Sequence, residues 1–474
     1  MNAVTDRGHW QPTVAPTGVA VFVFLLAILA WASVPLGSNR PWSMALLAAL
    51  LLGLTFVVAI ARLWQLAPWP HAHEACRLPI VLLSAWAGYS LLQAVPVPMT
   101  LVRILSPAAH EIWSITGLEG MATLSLDRGA TLARGLHLAS LAALFALTVA
   151  VLSNWRRVQC GVVFVVALGT VQSILGMSVA LGQNYGLLAA GAIEGVGGIS
   201  GTFVNPNHFA GFVEMAFCVS VGLGFGHAAP GVSLAGARQF LGSASAWALS
   251  SRLPLLIAQG VMIVALFWSG SRGALLALVV AIATTFLAWF PVQRISSAGS
   301  RIGAFGSVVL VSVLVLIWGG PGVVADKFAN SGFSGNRLAL AQATAAMGAD
   351  FALTGSGAGS FKSVFPSYKR TALGWREYEH AHNDYLEFFA EGGVIGLSLF
   401  LGGLGVAMLR TVRLARQRQG RASRALSAGC VAACLSLLVH GLVDFNLQIP
   451  ANATLFVFIL AMGLAAATVP RSQG

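Results

Sequence analysis

Between Glu377 and Glu387 the chain reads Glu-Tyr-Glu-His-Ala-His-Asn-Asp-Tyr-Leu-Glu, its densest run of polar side chains. An imidazole has an ordinary pKa of about 6.5 and exchanges protons near neutrality. His382 therefore suits a general base for a hydroxyl; it equally suits holding that hydroxyl, or an anionic group, in place. A zinc site is the rival chemistry, because His380 and His382 lie beside Glu377, Glu379 and Asp384. Zinc needs three or four converging ligands, and no second His-rich run completes the set, so the reading here is no metal and no cofactor.

The elements that must carry these residues follow from composition. Of the 474 residues 57% are hydrophobic and only 9% charged, with a mean hydropathy of +0.81. Soluble domains hold roughly 25% charged residues, so a water-soluble globule is excluded. Apolar blocks fall at about 17–36, 43–62, 78–96, 133–153, 158–181, 208–227, 253–269, 272–291, 302–320, 393–410, 425–446 and 449–469. About twenty apolar residues cross the hydrocarbon core as a helix. The expectation is an all-α polytopic membrane protein of about twelve transmembrane helices. The first, with Ala30-Trp31-Ala32 near its end, is read as retained rather than as a cleaved leader.

An even number of spans puts both termini on one side. With that side cytoplasmic, the inner loops collect Arg62, Arg77, Arg156, Arg157, Arg238, Arg252, Arg294, Arg301 and the cluster from Arg410 to Arg424, as short cytoplasmic loops do. The formal charge of +12 is then a topology signal with membrane lipids as its partner, not a nucleic-acid surface. The five cysteines lie in or beside apolar segments and suggest packing rather than disulfides.

Three outer segments exceed a turn: about 97–132, about 182–207, and 321–392. The first mixes Leu101, Ile104 and Leu105 with Arg103 and Glu111, which fits a short interfacial helix plus a loop. The third is far longer than a usual helix connection. In it, Asn336 to Met347 is rich in helix formers, and Gly355-Ser356-Gly357-Ala358-Gly359-Ser360 suits a flexible turn. That turn resembles a phosphate-cradling loop but lacks the Lys-Ser/Thr in register. Arg272, in Ser269-Gly270-Ser271-Arg272-Gly273, cannot travel far from the membrane. It either snorkels or caps there, or binds an anionic oxygen bidentately. Asn205, Asn207 and His208 either line the same cavity or cap the sixth span. Glu214, inside that span, should face a cavity or a partner; Asp444, near an outer span end, has an easier route to the interface.

These residues match a known pattern. His382-Asn383, nine residues, Gly393, two residues and Gly396 reproduce the loop signature of O-antigen ligases and the related polysaccharide polymerases and protein-glycosylating transferases. The Gly201-to-Asn207 run is similar to that family's domain start, Ser271-Arg272-Gly273 to its membrane-edge arginine, and Arg337 to its loop arginine; the leucine often found four residues on is Ala341 here. The resemblance covers about 201–396. It divides the chain into 1–200 with five spans and loop 97–132, the ligase-like 201–396 with loop 321–392, and 397–474 with three spans. It implies a GT-C-like fold in the bacterial inner membrane with the site facing the periplasm. The implied donor is an undecaprenyl-pyrophosphate-linked glycan, passed whole to a lipid A–core or glycan acceptor without metal or nucleotide sugar.

In that setting Arg272 and Arg337 would stabilise the departing pyrophosphate, and His382 would act on the acceptor. His380, Asn383 and Asp384 would bind substrate. Lys362, Lys369, Arg370 and Arg376 would draw in the anionic headgroup. Displacement in one step would invert the anomeric centre. A transporter or flippase is the rival of another class, but such proteins usually show repeats and polar or broken helices near the midplane. A scaffold for envelope assembly leaves the His motif unexplained.

Overall fold

The computed structural model describes residues 16–64, 74–182, 198–227, 253–289 and 333–470. Inside a bilayer every backbone N–H and C=O must be satisfied within the segment, which leaves the helix as the solution for long apolar runs. Helices long and apolar enough to cross are α2 (Pro41–Leu63), α3 (Glu74–Leu92), α6 (Arg128–Val151), α7 (Trp155–Ala180), α8 (Pro206–His227), α13 (Asp384–Gln417), α14 (Arg421–His440) and α15 (Pro450–Thr468). Among the described residues, three shorter apolar helices are α1 (Pro16–Ser33), α9 (Leu253–Ser269) and α10 (Arg272–Trp289). Each apolar block in the described residues thus coincides with a helix; the block at 302–320 lies outside them.

α15 is apolar all round, and 94% of its membrane window is buried, among α1, α6, α7, α13 and α14. A helix without a polar face belongs in the middle of a bundle. By contrast α2 is only 22% buried and leaves Phe56 and Val57 exposed, as a lipid-facing helix should.

The outer segments build a cap with its own core. It holds α4 (Met99–Leu105), α5 (Pro107–Ile115), the antiparallel pair β1 (Val97–Pro98) and β2 (Met121–Ala122), α11 (Phe333–Asp350) and α12 (Phe361–Val364). Val102, Ala109, Leu340, Met347, Phe351 and Phe365 are buried together there, so segments more than 200 residues apart in sequence fold as one layer. The expected helix at 336–347 is α11, with Leu340, Ala343 and Met347 turned inward.

One boundary and one turn differ from the sequence reading. The span expected to reach 446 ends at His440, and residues 441–449 fold as a loop closed by a 3-10 turn at Asn446–Gln448. Gly441, Asp444 and Asn446 favour turns over helix, and Pro450 starts α15 at a position where its missing N–H costs nothing. The Gly355–Ser360 turn, expected to be flexible, is pinned. Ser356 N donates to the Ala390 carbonyl and Gly357 N to that of Glu391, both at 3.0 Å, while Ala358 N donates to Gln93 Oε1 at 3.1 Å. Its amides are spent inside the protein and cradle no phosphate.

The signature glycine has a physical reason. α13 breaks at Gly393, which adopts φ 62°, ψ −168°, a region open almost only to glycine. A Cβ there would stand 2.3 Å from the Leu353 carbonyl oxygen. The break sets the first part of α13 against the cap and leaves the rest to cross the bundle.

Candidate active site

The loop 441–449 is the floor of the site. Asp444 is 1% exposed; its Oδ2 accepts from Asn207 Nδ2 at 2.7 Å and its Oδ1 from the Phe445 amide at 2.9 Å. Two imidazoles face the same Oδ1: His208 Nε2 at 3.7 Å and His382 Nδ1 at 3.6 Å. Those separations are longer than formed hydrogen bonds. Burial alone would raise the Asp444 carboxyl; the imidazoles of His208 and His382, with the charge of His440 behind them, outweigh it and hold the group well below the usual carboxylate range. The expectation of an interfacial Asp444 is therefore corrected: helix α14 stops early, and the loop folds the side chain inward.

Phe445 locks the imidazoles. His380 lies flat on its ring (4.4 Å between centroids, 23°), while His208 and His382 meet it edge-on at 4.5 and 4.7 Å. His380 Nδ1 pairs with Glu387 Oε1 at 2.7 Å, and the other oxygen of that carboxylate accepts from the Ala381 amide at 2.7 Å. One buried carboxylate thus ties down the two residues before His382, which itself sits at φ 51°, uncommon for a residue with a side chain.

The remaining expected residues divide by role. Asn205 caps α8: its Oδ1 accepts from Asn207 N at 2.9 Å and its carbonyl from His208 N at 3.1 Å. Asn383 caps α13, accepting from Tyr385 N and Leu386 N at 3.0 Å and donating to the Leu442 carbonyl at 2.8 Å. Asp384 is fully buried and accepts from Leu447 N at 3.1 Å, tying α13 to the floor loop. Asn383 and Asp384 are thus used in holding the site together. Arg337, on α11, is half-buried; burial pulls its pKa below the usual value while the nearby Asp444 carboxylate pushes it back up, and a guanidinium stays cationic throughout. Arg272 opens α10, and its neighbour Gly273 presses on His440, where a Cβ would meet the ring at 3.0 Å. Glu214 finds the partner its position demands, His440 Nδ1 at 3.3 Å. Arg370 is exposed and reaches Gln342 on α11 at 3.3 Å, outside the imidazole group. The basic field around it is partly answered, since Lys362 pairs with Glu379 at 2.7 Å.

Sequence reasoning passed over Phe445 and His440, and placed Arg134 among the outer basic residues without a role in the site. Arg134, on α6, is 8% exposed, hydrogen-bonds Gln448, and its charge reaches His380, Asp384 and Glu391. Its place on the outer side, against the positive-inside tendency, was the available signal. Among the described residues no set of three or more His, Cys, Asp or Glu is arranged to hold a metal ion.

The Glu387–His380 pair makes a pH prediction. Burial would lower the His380 pKa, but the Glu387 carboxylate outweighs it and the net direction is up. A raised folded-state value stabilises fully below the unfolded value of about 6.5 and is lost as pH rises through the folded one. Glu387→Gln should flatten that part of the pH dependence. Melting in detergent across pH 5.5–9 checks it; an unchanged difference between wild type and variant at every pH would contradict the pairing.

Comparison with known proteins adds the last element. No curated protein matches the chain. Residues 257–401 match the family model described as O-antigen ligase, a segment from α9 into α13 that holds Arg272, Arg337, His380, His382 and Gly393 and leaves out His208 and Asp444. Those residues are similar to the O-antigen ligase family, as the signature from His382 to Gly396 led one to expect.

Proposed function

We propose that this membrane protein is a glycosyltransferase that moves a glycan whole from undecaprenyl pyrophosphate to an acceptor hydroxyl, in the manner of an O-antigen ligase with lipid A–core as acceptor. The observation that carries the reading is the Asp444–His382 pair at the junction of cap and bundle, with Arg337 within electrostatic reach of it. The arrangement suits a GT-C-like enzyme in the bacterial inner membrane, both termini cytoplasmic and the site periplasmic. In support of that orientation, Arg410 and Arg418 sit at the far end of α13 from Asp384, on the side that positive charge marks as inner.

The chemistry follows from the groups. Asp444 faces Nδ1 of His382, which favours the tautomer with a proton there and leaves Nε2 to take the acceptor proton. Separations of 3.6 Å in a ligand-free site commonly close on binding. The acceptor oxygen then attacks C1, the bond from C1 to the pyrophosphate oxygen breaks, and the anomeric centre inverts. Arg272 and Arg337 are fixed cations for the charge that gathers on the leaving group, and a partly dehydrated site strengthens them. His208, behind Asp444, keeps that carboxylate in place rather than touching substrate.

A polymerase of the same superfamily differs only in offering another lipid-linked chain as acceptor. Purified protein given undecaprenyl-pyrophosphate glycan and each acceptor separately decides between them. Transfer to lipid A–core supports the ligase, chain extension supports the polymerase, and no transfer to either counts against both.

A further inference from the structure

The hairpin α4–α5 is apolar on two sides. One side belongs to the cap core through Val102 and Ala109, with Trp113 fixed by its Nε1 donating to the Thr123 carbonyl at 2.9 Å. The other side leaves Leu101, Ile104, Ile112, Ile115, Leu118 and Met121 exposed, Ile104 to 74% and Ile115 to 80%. A soluble surface seldom gathers such residues without a partner. At 7 and 9 residues, the helices are roughly 10 and 14 Å long, too short to cross a membrane and suited to lying along it.

What covers this face is indicated by what it continues. From Leu78 to Val102 the chain has no charged residue, and α3, which fills most of that stretch, exposes Leu78, Val81 and Leu92. α6, which follows the hairpin, exposes Leu132 and Leu136 in its outer turns. The hairpin is therefore bracketed by two spans whose open apolar rows meet lipid. It carries two basic residues, Arg103 and Arg128, against three acidic ones, Glu111, Glu119 and Asp127, with His110 between, so hydrocarbon contact rather than attraction to anionic lipid must hold it.

We infer that α4–α5 is a membrane-surface anchor whose outer face is seated in the headgroup and upper acyl region of the bilayer. Ala381 belongs to the same cap core as Val102 and Ala109, so the anchor also ties the height of the His380–His382 turn to the membrane surface. If the site transfers glycan as proposed above, that is the level at which a lipid-linked pyrophosphate lies.

The anchor is tested apart from activity. Full-length chain carrying Cys160→Ser, which removes the exposed native thiol, takes a nitroxide at Ile104→Cys, Ile115→Cys or, as an aqueous control, Lys362→Cys. Power saturation in phosphatidylethanolamine–phosphatidylglycerol liposomes should give an oxygen-to-nickel accessibility ratio several-fold higher at 104 and 115 than at 362. Nickel dominating at both sites overturns the inference, and so does exclusion of both relaxants, which would mean protein covers the face. Loss of glycan transfer in a separate assay would leave this result untouched.

Discussion

His382→Asn should cut glycan transfer by about 10²–10⁴-fold, the range a positioned general base contributes, with no loss of folded protein. Asparagine is the informative replacement because His382 sits at φ 51°, and asparagine tolerates that region better than alanine. His382→Ala removes the base and strains the turn together, so the two variants separate chemistry from backbone. Arg272→Ala should lose transfer comparably through a different route. It removes a cation for the leaving group and leaves the His382–Asp444 pair intact. Assayed with purified lipid-linked glycan, both should give monodisperse protein with wild-type yield. Wild-type rates in both would reject the assignment of the site.

How much of this was legible depended on the range of the interactions. Spans are local: a run of apolar residues must satisfy its own backbone, so every described block became a helix. The signature was legible because His382, Asn383, Gly393 and Gly396 lie at fixed spacing within one short stretch of chain, although their partners Asp444, Leu442 and Leu353 lie elsewhere. Caps such as Asn205 and Asn383 follow a local rule as well, which is why their helix-capping bonds could be anticipated from position alone.

The floor loop was hidden by its composition. Gly441-Leu442-Val443-Asp444-Phe445 reads as the end of an apolar span, and what folds it inward is contact with residues far away. Asn207 lies 237 positions from Asp444, and Arg134 lies 314 from Gln448. No periodicity carries such pairings. The cap was hidden likewise, because neither outer segment has enough apolar residues to form a core without the other.

Asp444→Asn should be the most damaging change outside the family-matched segment. The carboxylate receives hydrogens on both oxygens, from Asn207 Nδ2 and from the Phe445 amide, so an amide NH2 must confront one of those donors. Removing the charge also takes the nearby anion from Arg337 and the facing carboxylate from His208 and His382. Breaking a buried pair in this way costs about 3–5 kcal/mol, and the misoriented imidazole should lower transfer by at least about 10²-fold. The pH dependence separates these effects. A depressed carboxyl stabilises the fold above its unfolded pKa of about 3.9 and loses that contribution as pH falls through the lower folded value. Wild type should therefore lose stability in acid, while Asp444→Asn starts lower at neutral pH and changes less below about pH 4. Asp444→Glu, which keeps the charge but displaces it by one methylene, should recover stability more than transfer. If Asp444→Asn melts lower yet transfers glycan with an unshifted pH–rate profile, Asp444 is a brace for the floor loop and not a partner of His382.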